Sequence, residues 1–112
     1  MPFPKNIHSD YHAHIYFDES TSDEAQQLRQ AVSEQFDLSV GRFNQKNVGP
    51  HLKWSFSITF THQDFEQLIP WLEAHRRTFS VLVHALTGDD IKDHTDFAYW
   101  LGEPVPLNLS SL

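Results

Sequence analysis

Two histidines one residue apart, His12 and His14, occupy the stretch DYHAHIYFD, where the surrounding pattern is that of a β-strand. Neutral imidazole is a common ligand for iron, zinc, copper and nickel, and its ordinary pKa near 6.5 also suits it to proton transfer. The chain holds eight histidines and no cysteine in 112 residues. Disulfides, zinc–thiolate sites and thiol nucleophiles are thereby excluded, and His, Asp and Glu are left as the strong metal ligands. Three further histidines stand at the edges of ordered-looking segments: His51 after Gly49-Pro50, His84 near the end of FSVLVHA, and His94 in DDIKDH.

The elements that must position these residues follow from periodicity. YHAHIYF alternates, with Tyr11, Ala13, Ile15 and Phe17 on one face and His12, His14 and Tyr16 on the other. STSDEAQQLRQAVSEQF reads as a helix, with Thr21 and Glu24 as a capping box and Ala25, Leu28, Val32 and Phe36 as its apolar stripe. A short strand is expected over Leu38 to Phe43. LKWSFSITF then alternates Leu52, Trp54, Phe56, Ile58 and Phe60 against Lys53, Ser55, Ser57 and Thr59, and parity puts His51 with the polar set. Thr61 and Asp64 cap a second helix built on Phe65, Leu68, Ile69 and Leu72, in which Pro70 should force a bend or a restart. FSVLVHA makes the fourth strand, with Phe79, Val81 and Val83 opposite Ser80, Leu82 and His84.

The order βαββαβ within one domain spanning residues 1–112 gives an α+β, ferredoxin-like split-βαβ fold, a four-stranded antiparallel sheet of order 4-1-3-2 with both helices on one face. With the apolar parities turned to the helices, His12, His14, His51 and His84 converge on the open face from three adjacent strands. Strands lie about 4.8 Å apart and alternate residues about 6.6 Å, so a subset can meet at one ion, with His51 nearer His14 and His84 nearer His12. Asp10 and Asp18 share the parity of the pair and are candidates for a carboxylate ligand, although both suit strand-end turns. His94 can fold over the cluster as a lid. His62 and His75 bracket the second helix and suit structural roles, and His8 falls in the irregular lead-in.

Bulk composition narrows the function classes. A net charge of −7, with HRR at His75 to Arg77 the one basic run, argues against nucleic acid. No 18-residue apolar stretch and no leader are seen, so no membrane partner and a cytoplasmic location are expected.

YHAHIYFD, VGRF, VGPH, PWL, VLVHALTGDD, DH and the tail WLGEPVPLNLS together resemble the DOPA 4,5-dioxygenase family of fungi and bacteria, from about Tyr11 to the C-terminus. The resemblance implies a ferredoxin-like fold, commonly dimeric, and a non-haem Fe(II) centre that cleaves a catechol such as L-DOPA beside its two hydroxyls with O2 as co-substrate. The family's histidine motifs fall on His12, His14, His51, His84 and His94. Metal ligation is expected among His12, His14, His51 and His84, and acid–base work at His94 first and His12 second. Zinc or nickel can occupy such a site in purified protein. Leu52 and Ala85 replace prolines frequent in the family, which bears on pocket shape. Tyr16, Tyr99 and Trp100 are candidate walls for an aromatic ring, and Arg42 and Lys53 candidate partners for a substrate carboxylate.

The expected partners are a small catechol and a second copy of the chain, which, or the tail with Leu107, Leu109 and Leu112, would cover the open sheet face. Two other readings fit the same residues: a non-enzymatic module binding a metal or small aromatic ligand, and a cofactor-free enzyme using the histidines as acid and base.

Overall fold

The structure, a computed structural model, describes residues 5–46, 49–51 and 53–112, apart from the side chain of Ser111. Its strands are β1 (Asp10–Phe17), β2 (Ser39–Val40), β3 (Trp54–Thr61), β4 (Val81–Ala85) and β5 (Ala98–Leu101). Its α-helices are α1 (Ser22–Gln35), α2 (His62–His75) and the single turn α3 (Asp90–Asp93). The sheet is antiparallel throughout, in the order β2-β3-β1-β4-β5.

The expected 4-1-3-2 order is present, but the sheet has five strands rather than four. The fifth comes from AYWL, where Leu82 pairs with Trp100 and Val83 with Tyr99 along the free edge of β4. An unpaired edge offers a row of backbone donors and acceptors, and this short segment satisfies them.

Alternation decides which way the sheet faces. Tyr11, Ala13, Ile15 and Phe17 of β1, Phe56, Ile58 and Phe60 of β3, and Val81 and Val83 of β4 form one cluster with Ala25, Leu28 and Val32 of α1 and Phe65, Leu68, Ile69 and Leu72 of α2. Both helices therefore lie on one face. Each of these large side chains contributes about 1.5–3 kcal/mol by leaving water.

Three local expectations need correction. The box at the first helix is closed by Asp18 and Thr21 around a 3-10 turn at Glu19–Thr21, and Thr21, the residue before α1, makes no side-chain cap bond. Asp18 takes the capping role because it is the first acceptor after β1 ends, so Glu24 is left exposed. The second strand is two residues long rather than six, since Gly41 already turns its N–H onto Ser57 O and, among the described residues before β3, an isolated bridge of Asn44 with Ser55 follows. Finally, α2 runs through Pro70 without restarting. Pro70 and Glu66, the residue four before it, are exposed, so solvent can reach the carbonyl left without a donor. Its N-terminus carries the Thr61–Asp64 box as expected. Leu52, expected at the start of the third strand, lies outside the described residues.

Beyond β5 the chain turns at Gly102, whose φ is 78° and where a Cβ would meet Arg76 Nη1 at 2.6 Å. Both facts favour glycine there. The tail then returns to bridge His51 through Leu107, and Asn108 N donates to Pro50 O. Leu107 is half-buried in that contact, and Leu109 and Leu112 are each 37% exposed. No helix among the described residues is long and apolar enough to cross a membrane.

Candidate metal centre

The face of the sheet opposite the helices carries the histidines. His12 pairs in register with His84 across β1 and β4, and His14 pairs with Leu82. The side chains do not follow the register: His84 leans along the sheet so that its Nε2 lies 2.9 Å from His14 Nε2. The expected closeness of His84 to His12 is thus a backbone relationship, with ring centroids 5.4 Å apart, while the direct contact is to His14.

His51 arrives from the loop before β3 and lies against His14, ring centroids 4.1 Å apart, the neighbour expected from its place at the start of the third strand. His94, at the C-terminus of α3, closes over the group with its ring 4.2 Å from His84 and 6.3 Å from His51. Two overlapping triads result, His12/His14/His84 and His14/His51/His94, each with one ring nitrogen per residue within 4.8 Å of the others. His14 belongs to both.

Hydrogen bonds fix several tautomers. His84 Nδ1 donates to Ala85 O at 2.8 Å, and His94 Nδ1 donates to Asp90 O at 2.8 Å. A neutral ring that donates through Nδ1 keeps its Nε2 lone pair, the state a metal ligand needs. His51 differs, because its Nδ1 lies 2.6 Å from the Tyr16 hydroxyl.

Electrostatics agree with a neutral cluster. Burial pushes the pKa of His14 well below its ordinary value, with His51, His84, His12 and His94 adding repulsion. Burial lowers His51 to about 4, helped by His94 and His12. His84 also falls to about 4 by burial, although the Ala85 carbonyl and the Asp93 carboxylate pull the other way. His12, less enclosed, is lowered by burial and His94. At neutral pH, His12, His14, His51 and His84 are therefore uncharged. Converging neutral imidazoles with no thiolate suit a divalent transition ion, and the His14 and His84 nitrogens are spaced to share one: two atoms about 2.1 Å from an ion at right angles stand about 3.0 Å apart.

The sequence-level candidates outside the cluster sort clearly. Asp10 bonds its neighbour Ser9 and Asp18 caps the 3-10 turn, so neither carboxylate joins a triad. Tyr16 is buried, bonds His51 and stacks on Trp100 at 5.9 Å, which makes these two rings one wall beside the cluster. Tyr99, paired with Val83, has the opposite parity. Arg42 is exposed, and Lys53 borders a notch of about 100 Å³ with Tyr16 and Ser80. His62 and His75 lie at the ends of α2, His75 bonding Trp71 O, and His8 packs on Phe97.

Sequence reasoning missed Asp93. It is 2% exposed and accepts from Thr87 N and Thr87 Oγ1 at 2.9 and 2.7 Å. That pair ties the turn after β4 to the end of α3 and so holds the backbone next to His94. The only sequence signal was an acidic residue six positions after a threonine in a turn.

Comparison with known proteins places this geometry. The sequence profile of the Dopa 4,5-dioxygenase family matches residues 11–111. An uncharacterized 21.2 kDa protein of Botryotinia fuckeliana is 33% identical over 97% of this chain and 66% of its own length. A DOPA 4,5-dioxygenase of Amanita muscaria is 32% identical over 92% of this chain and 49% of its own length. The chain thus spans about two thirds and about half of these two relatives. A crystal structure of a "putative dioxygenase" from Nostoc punctiforme superposes with a TM-score of 0.89 at 35% identity, covering 92% of this chain and 90% of that one. With the profile running across all five histidines of the cluster, the chain belongs to the Dopa 4,5-dioxygenase family.

Proposed function

We propose that the chain is a non-haem Fe(II)-dependent extradiol dioxygenase that opens the ring of a catechol, L-DOPA or a related diol, with O2. The observation that carries this reading is the pair of buried, neutral imidazoles whose Nε2 atoms face each other at 2.9 Å inside a five-histidine cluster. Family membership supplies the reaction class. His12, His14 and His84 would hold the ion, because all three stand on the paired strands β1 and β4, and a paired strand positions a side chain more precisely than a loop does.

When bound, ferrous iron supplies a Lewis acid with open positions and a redox partner for O2. The chain's own residues do the rest. His94, with Nδ1 held on Asp90 O, keeps a lone pair at Nε2 and can take a catechol proton there and return it later. Tyr16 and Trp100 offer aromatic surface beside the cluster, and the tail at Leu107 covers His51. Holding diol and oxidant together turns their encounter into an intramolecular one.

The test is ring cleavage. Protein made without a histidine tag and loaded anaerobically with iron is expected to consume O2 and form a yellow product with DOPA, caffeate, protocatechuate or simple catechols. Tight zinc binding with no iron-dependent O2 uptake would instead make it a metal-binding module, and turnover that survives strong chelation would make it cofactor-free.

A further inference from the structure

We propose that His51 is a hydrogen-bond donor at Nε2 and takes no part in holding the ion, and that Tyr16 is the positioning residue that sets this tautomer. The inference rests on the metal-centre reading above and concerns which of the five imidazoles ligate.

The argument is one of hydrogen-bond satisfaction. The Tyr16 side chain is buried, and among the described residues its hydroxyl has one partner, His51 Nδ1 at 2.6 Å. If His51 Nδ1 donated, the buried phenolic proton would have no acceptor. Leaving a buried donor unmade is costly, so the hydroxyl donates and Nδ1 accepts. A neutral His51 then carries its proton on Nε2.

The other histidines are arranged in the opposite sense or are free to switch. His84 and His94 give Nδ1–H to backbone carbonyls, which can only accept, and their Nε2 lone pairs are fixed. With His84 Nε2 bare, His14 donates across the 2.9 Å contact in the metal-free protein. No described group bonds His14 Nδ1, and this atom is not one of the fully buried polar atoms left without a partner, so His14 can move its proton there toward solvent and free Nε2 for an ion. His51 cannot do so without stranding the Tyr16 proton. One nitrogen of His51 still lies within 4.8 Å of those of His14 and His94, so proximity alone does not make it a ligand. The chemistry its N–H suits is an anionic oxygen, such as a deprotonated catechol hydroxyl held at the cluster.

Long-range proton–nitrogen NMR of metal-free, histidine-labelled protein reads the tautomer directly, with His51→Gln assigning the signal. His51 is expected to show a protonated Nε2 and a bare Nδ1, and Tyr16→Phe to shift it toward a mixture or the reverse. Zinc stoichiometry is expected to stay at one ion in His51→Gln and Tyr16→Phe and to be lost in His14→Ala. In iron-loaded protein, kcat is expected to fall about 100-fold or more for His51→Gln and about 10- to 100-fold for Tyr16→Phe. A bare Nε2 on His51 in the wild type, or loss of zinc in His51→Gln matching His14→Ala, overturns the proposal. Absence of ring cleavage with the tautomer and stoichiometry intact would strike the dioxygenase reading and leave this one standing.

Discussion

His14 and His84 meet at 2.9 Å through their Nε2 atoms although the sheet pairs His14 with Leu82 and His84 with His12. The contact is made by side chains reaching diagonally across two strands. In the metal-free protein one proton sits between two nitrogens, and an ion that replaces it satisfies both. His14→Ala and His84→Ala are each expected to reduce bound iron or zinc from one equivalent to near none, as measured by elemental analysis of dialysed protein. His94→Ala, whose residue stands on a single helical turn, is expected to keep the ion and lose turnover by about 10²–10⁴-fold.

The same cluster sets an acid limit on the metal-free fold. His51 and His84 titrate near 4 when folded, and His14 is pushed well below its ordinary 6.5, so the native state refuses protons that the unfolded chain accepts. Stability is therefore fully present above about pH 6.5 and declines as pH falls from there toward 4. Urea melts of chelator-treated protein at pH 7.5, 6.0 and 5.0 are expected to show a steadily lower midpoint, and replacing His14 with Leu is expected to flatten the trend.

Much of this centre was legible before the fold was known, for a physical reason. Period-two alternation carries both the apolar face and the site face of a strand, so the parity that buries Ile15 also delivers His14 to the other side. What parity does not carry is side-chain direction. The lean of His84 toward His14 and the Tyr16 hydroxyl on His51 both depend on χ angles and on neighbours three strands wide. The fifth strand is not legible in the sequence because AYWL is four residues long and follows a loop of polar residues, and its pairing is decided by the free edge of β4. The Asp18 box is hidden for a related reason: Thr21 closes the 3-10 turn and directly precedes α1, and spacing alone does not distinguish the two.

Asp93 should prove a support for the site rather than part of its chemistry. Its carboxylate takes two hydrogen bonds from Thr87 and lies buried beside the His84 ring. Asp93→Ala removes two hydrogen bonds to a charged acceptor, a loss of about 1–3 kcal/mol, and slackens the turn that aims His94. A lower urea midpoint together with a rise in KM is expected, and Asp93→Asn, which keeps an acceptor oxygen, should recover part of both.

Ile15 offers the complementary case. It is the immediate neighbour of His14 on β1, yet it points to the helices, fully buried in the core. Ile15→Ala is expected to cost about 2–5 kcal/mol, the usual loss for a truncated core side chain with its residual cavity. Because the histidines sit on the opposite face, the surviving folded protein should still bind one ion at 10 °C with unchanged affinity. His14→Ala should do the reverse, losing the ion while its metal-free urea midpoint at pH 7.5 falls less than that of Ile15→Ala, since it removes one buried hydrogen bond and leaves the core intact. If Ile15→Ala lost the ion as completely as His14→Ala, the two faces of β1 would not be independent, and the division between core and metal centre would fail.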